Sequence, residues 1–487
     1  MLSTALAMLA ACLVLLCLLG HKPLAEWDEA IYAEVSREML TGSWLVPHWN
    51  RQLWLEKPPL MLWITAAFFK LFSVNEFWAR AGSAFSGIAL VGLLHAWLAK
   101  RRDTLTAWFC TVVLLSTFGF LRAARVGETD VLLSLGCILT LFGLTQVDEF
   151  DLRGWLLFWI GFAIAVMTKG AAAVVLPITA VVFAAIQRWN TARLGRNFWI
   201  GFALFLLLIL PWHIAMLHLY GKHFLNEYFG LHVLARATHQ IEEHPTPFWY
   251  YFKVLLVSAP PFVLFYPSAL AHALRRAQLR VWAIFPLVIL SLFTVVQTRL
   301  PHYIAPVYPA LAVLTAVYLA DRLRPYLAER RSATFWLRLA LVASAIAIAT
   351  VWITAPARRL LHNPRLADGT LHTDDNKNAI ALIRSAFARP QPIDGPLLLW
   401  QDRTVSISSD VFYSHRVIQQ VQLDPGTEAI ATNRYTHNPE SLDQAVAAQP
   451  RLILLDRDLV AQLPARFAFT PIQIYGSVEL GRIVRAP

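Results

Sequence analysis

Long apolar runs separated by short charged junctions set the pattern of this chain. Runs long enough, or nearly so, to cross a hydrocarbon core of about 30 Å fall at 1–20, 80–99, 104–121, 131–147, 154–169, 171–187, 197–219, 248–271, 281–297, 304–320 and 335–355. Each predicts a helix, which makes the chain an all-α polytopic membrane protein of about eleven spans. Alternate junctions are basic: Lys100-Arg101-Arg102, then Arg153, then Arg188, Arg193 and Arg196, then Arg275, Arg276 and Arg280, then Arg322, Arg324, Arg330 and Arg331. Positive charge stays on the cytoplasmic side, so the N-terminus is predicted there too. The segments 21–79, 122–130, 220–247 and 298–303, and everything after 356, are then extracytoplasmic.

Two stretches depart from the spanning pattern. The first outer segment carries an amphipathic helix predicted at 29–41, with Asp28 or Glu29 at its start and Gly42 at its stop. Pro58-Pro59 then opens an apolar run at 60–72, too short to span comfortably and suited to lying at the membrane interface. From Pro356 charged and turn residues increase, and short strand-like runs appear at Leu397–Trp400, Val405–Ile407, Leu452–Leu455 and Ile472–Tyr475, with a helix at 376–388. This predicts a transmembrane domain over 1–355 and a small soluble α/β domain over 356–487.

Composition sharpens the class. Of 487 residues 57% are apolar and 15% charged, against about a quarter charged in soluble proteins. Disorder, a collagen-like chain and a disulfide scaffold are excluded. Cys12, Cys17, Cys110 and Cys137 all lie in apolar runs and read as buried thiols. The net charge of +11 is dispersed among the junctions, so it does not mark a nucleic-acid surface. Leu9-Ala10-Ala11-Cys12 fits a lipoprotein cleavage box, but no basic segment precedes it and the apolar run continues, so a retained first helix is expected.

In a chain this poor in charge, the ionisable residues of the outer segments are the candidates for chemistry. Trp27-Asp28-Glu29 and Glu56-Lys57-Pro58-Pro59 bound the first. Arg122, Arg125, Glu128 and Asp130 fill the second, and Lys169 ends the fifth apolar run. Arg236, His239, Glu242, Glu243 and His244 lie in the third, and Arg299-Leu300-Pro301-His302-Tyr303 in the fourth. Acids on adjacent loops with Arg, Lys and His around them suit binding of a phosphate and a metal, or orientation of a nucleophile. Each also has a structural reading. Asp28, Glu29 and Asp130 suit helix caps, and Lys169 and Arg299 suit snorkelling anchors. His244 suits a hydrogen-bonded loop, and Trp27, Trp44, Trp49 and Trp54 suit an interfacial belt.

The order of these residues resembles a known family. Asp28-Glu29-x-x-Tyr32-Ala33-Glu34, Arg37-Glu38-Met39, Gly42-x-Trp44-x-Val46-Pro47-x-x-Asn50 and Glu56-Lys57-Pro58-Pro59 are similar to the first outer loop of bacterial polyprenyl-phosphate-sugar glycosyltransferases. These are the aminoarabinose-transferase-like relatives of the protein O-mannosyltransferases, with the membrane fold called GT-C. Thr168-Lys169-Gly170, Pro211-Trp212, His244-x-x-Pro247-Phe248-Trp249-Tyr250-Tyr251 and Leu300-Pro301-x-Tyr303-x-x-Pro306 continue the resemblance over residues 20–310. The last 130 residues carry no matching motif.

The resemblance implies roles. Asp28 is the first-loop acid near the reacting sugar and Asp130 the acid of the second loop. Lys57 and Tyr303 bind the lipid phosphate, while Glu56 and His244 hold a divalent metal, zinc or Mg/Mn. The relatives have an arginine before the first-motif tyrosine that helps to bind phosphate. Ile31 stands there in this chain, leaving Arg37, Arg125 and Lys169 as the basic residues available to replace it. Glu29, Tyr32, Arg236 and Arg299 complete the candidate substrate-binding set.

The implied reaction moves a sugar from a polyprenyl (undecaprenyl-type) phosphate to an envelope acceptor such as lipid A, another glycan or a protein, in the bacterial inner membrane and on its outer face. No glycine-rich nucleotide motif is present, in keeping with a donor that arrives through the lipid. The rival reading, a transporter or lipid flippase, calls for ionisable residues near the midplane and related halves. Here those residues gather at one face and no internal repeat is visible.

Overall fold

The computed structural model describes residues 1–25, 27–146, 152–189, 194–235, 247–328, 374–387, 395–400, 408–422, 440–447, 449–475 and 478–486. The predicted span at 335–355 and the strand-like run at 405–407 lie outside them. By contacts the chain divides into two units. One comprises Met1–Leu19, Leu55–Ile64 and Arg80–Asn363, the other Gly20–Trp54, Thr65–Ala79 and Pro364–Pro487. Most of the first outer segment is thus grouped with the C-terminal region, whereas the sequence boundary at 355/356 groups it with the membrane helices.

Helices make up the first unit: α1 (Leu2–Leu16), α3 (Leu60–Leu71, shared between the units), α4 (Glu76–Arg101), α5 (Thr104–Ser116), α6 (Phe118–Arg125), α7 (Asp130–Gln146) and α8 (Leu152–Lys169), followed by α9 (Val175–Ile186), α10 (Arg196–Leu225), α11 (Tyr250–Ser258), α12 (Tyr266–Leu274), α13 (Arg280–Val295) and α14 (Val307–Ala328). Among the described residues four helical stretches are long and apolar enough to cross a membrane: Glu76–Arg101, Leu152–Ile186, Arg196–Gly230 and Ala277–Val295. There are five if α5 and α6, bent by 69°, count as one. Apolar side chains on α10 face outward, Leu207 at 69% exposure and Ile214 at 56%, the surface expected of a membrane protein rather than a soluble one.

Local chemistry explains why the apolar runs are not all single spans. The predicted run 104–121 starts where Asp103 caps α5 by accepting the Thr106 amide at 2.8 Å. It bends at Thr117, whose φ/ψ of −79°/110° is extended. The run 248–271 is cut at Ala259-Pro260-Pro261, because proline supplies no N–H to continue α11. The runs 154–169 and 171–187 form a continuous helical stretch with a 3₁₀ turn at Gly170–Val174.

Glycine allows α7 and α8 to meet backbone to backbone. A Cβ on Gly143 of α7 would lie 2.4 Å from the Phe158 amide nitrogen, and one on Gly161 of α8 would lie 2.5 Å from the Thr140 nitrogen. The two backbones therefore touch through positions that only glycine can fill.

The second unit contains α2 (Asp28–Glu38), β1 (His48–Trp49) and β2 (Gln52–Leu53) from the first outer segment. Asn50 and Arg51 connect the two strands with φ of 52° and 59°, the two left-handed residues of a tight hairpin. From the C-terminal region come α15 (Asp374–Ala386), β3 (Leu397–Trp400), α16 (Ser408–Ser414), β4 (Ile418–Gln422), β5 (Glu440–Ser441), α17 (Leu442–Ala445), β6 (Arg451–Asp456), α18 (Arg457–Val460), β7 (Phe467–Tyr475) and β8 (Val478–Arg485). The sheet order is β5-β4-β3-β6-β8-β7. It is parallel from β5 to β6 and antiparallel across β6, β8 and β7. Leu397, Leu398 and Leu399 are buried on successive positions, the continuous apolar run of a strand covered on both faces. A second core joins Leu24, Ala30, Ala33, Phe69 and Ala79 to Phe412 of α16.

Gly161→Val should force α7 and α8 apart. The expected cost is about 2–3 kcal/mol of overpacking, read as a lower unfolding temperature of the purified protein in detergent, whereas Gly230→Ala, where a Cβ meets open space, serves as the unaffected control.

Candidate active site

In the first unit the polar residues gather at the start of α7. Asp130 is its first residue and is only 1% exposed. A carboxylate buried this deeply needs a counter-charge, and Lys169 supplies it, with Nζ 2.5 Å from Oδ1. Lys169 can do so because α8 ends there. Gly170 turns the chain at φ +51°, and a Cβ on it would lie 2.4 Å from the Tyr228 hydroxyl. That hydroxyl is 3.3 Å from His213 Nε2, whose Nδ1 is 2.8 Å from the Ile209 carbonyl. Nδ1 therefore donates to Ile209, and Nε2 accepts from Tyr228.

Two further predicted residues, Tyr303 and Lys57, meet this pair, and so does His302. The Lys169 ammonium stands 5.6 Å from the centre of the Tyr303 ring. Lys57 acts electrostatically on the Asp130 carboxylate, as does His302. Tyr303 and His302 sit on the 3₁₀ turn Pro301–Ile304 between α13 and α14, with Tyr303 packed 5.4 Å from Phe293. The turn is tied down from α11, where the Tyr251 hydroxyl donates to the Leu300 carbonyl at 3.3 Å. Sequence reasoning did not single out His302. Its motif pointed to Tyr303, and only the meeting of two elements far apart in the chain places His302 beside Asp130. Two lysines, a histidine and a phenol around one carboxylate make a setting for an anion larger than the carboxylate itself.

In the second unit the consecutive acids Asp28 and Glu29 do different work. Glu29 is 2% exposed and accepts the Ala25 amide at 2.6 Å, closing the turn into α2. Asp28 is half-buried and accepts the Tyr32 hydroxyl at 2.9 Å, one helical turn on. Tyr32 is itself buried, edge-on to the buried Trp54 at 5.9 Å. Glu29 and Tyr32, expected at the substrate, thus have structural partners within the loop.

Several predicted phosphate or substrate ligands are engaged elsewhere. Arg37 forms a forked pair with Glu34, at 2.7 Å from Nε and 2.5 Å from Nη2. Arg125, expected at the phosphate, donates to the carbonyls of Val14, Leu15 and Cys17 at 2.6, 3.0 and 2.7 Å. It stops α1 by satisfying carbonyls that the helix end leaves open. Arg299 donates from Nε and Nη2 to the Thr294 carbonyl at 3.1 and 2.7 Å, at the end of α13. Arg122 pairs with Glu128 at 3.7 Å. Arg236 and His244 lie outside the described residues. Glu56, the other expected metal ligand, is half-buried, and among the described residues no three His, Cys, Asp or Glu side chains come together as a ligand set.

Burial governs the charges on α2. The Glu34 carboxyl is pushed up to about 7 by burial, which outweighs the opposing effect of Arg37. Glu38 is also raised by burial, against the Arg51 amide that it accepts at 3.0 and 3.2 Å.

Comparison with known proteins adds independent findings. The family described as Dolichyl-phosphate-mannose-protein mannosyltransferase matches over residues 56–214. An undecaprenyl phosphate-alpha-4-amino-4-deoxy-L-arabinose arabinosyl transferase of Erwinia tasmaniensis is 33% identical over 304 residues, 59% of this chain and 54% of that protein. Its namesake from Yersinia pestis is 31% identical over 335 residues, 65% of this chain and 59% of that protein. The chain thus spans little more than half the length of these relatives. Among solved structures, ArnT from Cupriavidus metallidurans bound to undecaprenyl phosphate has a TM-score of 0.74 at 22% identity, covering 98% of this chain and 97% of that one. The oligosaccharyltransferase AglB from Archaeoglobus fulgidus, in complex with an inhibitory peptide and a dolichol-phosphate, reaches 0.52 at 12% identity over 94% and 69%. The fold is therefore shared with ArnT and, more loosely, with AglB. The resemblance carried by the first-loop motifs is borne out, and the structure likened over nearly its full length is ArnT.

Lys169→Met should leave Asp130 buried without its cation, at a cost on the order of 3–5 kcal/mol. The double variant with Asp130→Asn should recover most of that loss in a thermal unfolding assay. Glu34 gives a pH effect of definite sign. An unfolded chain releases this proton near 4.5 and the folded one near 7, so the stability from Glu34 is complete below about 4.5 and is lost as the pH rises to about 7. The drop in unfolding temperature between pH 4.5 and pH 8 should be smaller for Glu34→Gln than for the wild type.

Proposed function

We propose that this protein is a membrane glycosyltransferase that moves a sugar from a polyprenyl (undecaprenyl-type) phosphate to an envelope acceptor. The acceptor class is lipid A or lipopolysaccharide, another glycan, or a protein. The observation that carries this reading is the buried Asp130–Lys169 pair with Lys57, His302 and Tyr303 around it, on a fold shared with ArnT.

The chemistry follows from the donor. Its phosphate is the leaving group, so the bond from the anomeric carbon to the phosphate oxygen breaks with the electron pair staying on oxygen. Lys57, Lys169 and the Tyr303 hydroxyl stabilise the charge that gathers there. The acceptor oxygen attacks the opposite face of the sugar and inverts it. Asp28 takes the proton if the acceptor is a hydroxyl and orients it if the acceptor is an ionised phosphate. Asp130 keeps Lys169 charged and aimed. Glu56, with His244, would hold a divalent cation, zinc or Mg/Mn, that adds positive charge at the phosphate.

The membrane arrangement belongs to the same reading. About eleven spans start from a cytoplasmic N-terminus in the inner membrane, and residues 356–487 form an extracytoplasmic α/β domain. The basic junctions support the sidedness, and the six-stranded sheet supports the domain.

Mass spectrometry of envelope lipids, glycans and proteins from cells with and without the gene should show one species heavier by a single sugar residue only when the gene is present. Restoring the gene as Asp28→Asn should lower that product about 100-fold or more with the protein inserted at normal levels. An unchanged envelope, or full product from Asp28→Asn, would refute the reading.

A further inference from the structure

The C-terminal region carries no acid, base and metal grouping among its described residues, yet it makes directed bonds to the loop that bears Asp28. Asn50, at the tip of the β1–β2 hairpin, is 1% exposed. Its side-chain amide donates to the Ile418 carbonyl at 3.2 Å, and its Oδ1 accepts the Ile418 amide at 3.0 Å. The side chain therefore pairs with the first residue of β4 as a neighbouring strand would. A second attachment is made by Tyr413 of α16, whose hydroxyl accepts the Leu24 amide at 2.8 Å and donates to Glu76 Oε1 at 3.1 Å. Arg384 of α15 pairs with the same Glu76 oxygen at 2.9 Å and lies 5.2 Å from the centre of the Tyr413 ring. Between these attachments, Phe412 packs into one core with Leu24, Ala30 and Ala33.

These contacts bracket Asp28. Leu24 lies four residues before it, Ala30 and Ala33 are on its helix, and Asn50 follows that helix. Both hydrogen-bond sets reach main-chain groups, of Ile418 on one side and Leu24 on the other, so they fix backbone position and not merely side-chain packing. A six-stranded sheet with its own apolar core is a stiffer support than a short loop can provide for itself.

We infer that the C-terminal sheet domain is a positioning element for the Asp28 loop, acting through Asn50 and Tyr413. The inference rests on the proposed role of Asp28. Positioning residues of this kind set the rate of the step without contributing to donor affinity.

Asn50→Gly and Tyr413→Phe test it. Glycine tolerates the φ of 52° at residue 50 and removes the side chain with its amide; phenylalanine removes only the hydroxyl. Full-length protein is reconstituted in vesicles and supplied with the polyprenyl-phosphate lipid extract and envelope fraction of its source cells. The double variant should show a maximal transfer rate lower by roughly ten- to hundredfold, with the apparent KM for the lipid extract within about twofold. Amide exchange over 28–38 should quicken on the order of tenfold, with that over 130–146 unchanged. Wild-type rate and wild-type exchange would overturn the inference, and so would a raised KM at wild-type maximal rate, the mark of direct donor contact. Asp28→Asn is run alongside. If it turns over normally, the reading of Asp28 fails, while the exchange measurement still reports whether the domain holds the loop.

Discussion

A carboxylate inside an apolar helix bundle must be neutralised, and in the membrane unit that requirement organises everything around Asp130. At 1% exposure it has no water to fall back on, so Lys169 has to arrive within ion-pair distance. A straight helix would carry the chain past that point. The left-handed turn at Gly170, closed over by the Tyr228 hydroxyl, ends α8 at the residue whose ammonium is needed. Side-chain absence at one position and charge at the next are therefore one constraint. Lys57 and His302 also act electrostatically on the Asp130 carboxylate, and a phosphate group is a natural complement of positive charge held where water is scarce.

The two units rely on different forces. In the bundle, backbones meet across Gly143 and Gly161, and apolar side chains turn outward along α10. Burying apolar surface gains little where lipid is equally apolar, so close packing must do the holding. The other unit is held by burial of Leu398, Ile453 and Ile483 in a sheet core and by directed bonds such as Asn50 to Ile418. Its hairpin turn and its Tyr413 attachments belong to the vocabulary of water-soluble domains, although most of them involve the segment between α1 and α4.

Much of this was legible as periodicity. The helix expected at 29–41 occurs as Asp28–Glu38, the run at 60–72 as Leu60–Leu71, and the strand-like runs at Leu397–Trp400 and Leu452–Leu455 as β3 and β6. Apolar runs were a poorer guide to spans, since hydropathy does not register that Thr117 is extended or that Pro260 and Pro261 stop a helix. Of the candidate site, the sequence picked out Asp130, Lys57, Lys169 and Tyr303, which the fold brings together, and it was least informative about the arginines. A guanidinium takes its role from whatever acceptor lies within reach. For Arg125 that is the open end of α1, for Arg299 the end of α13, and for Arg37 a glutamate three residues back. The partners of Arg125 and Arg299 are not visible as a motif, because helix ends are set by packing.

Asp28 and Glu29 show the same limit at its sharpest. They are adjacent, equally acidic and equally able to cap α2 from the sequence alone. Helical geometry separates them by about 100° around the axis, which turns Glu29 into the interior, where the Ala25 amide satisfies it, and leaves Asp28 half-exposed. Asp28 accepts the Tyr32 hydroxyl, and Tyr32 packs edge-on against Trp54. The preceding residue, Trp27, is held at φ +68°, a conformation that costs a non-glycine residue on the order of 1–3 kcal/mol and persists only where its surroundings impose it. A helix cap needs none of this. A carboxylate that is kept partly exposed, oriented by a buried phenol and entered through a strained turn suits a role outside the helix better than a cap. That is the physical ground on which we propose chemistry for Asp28 and not for its neighbour.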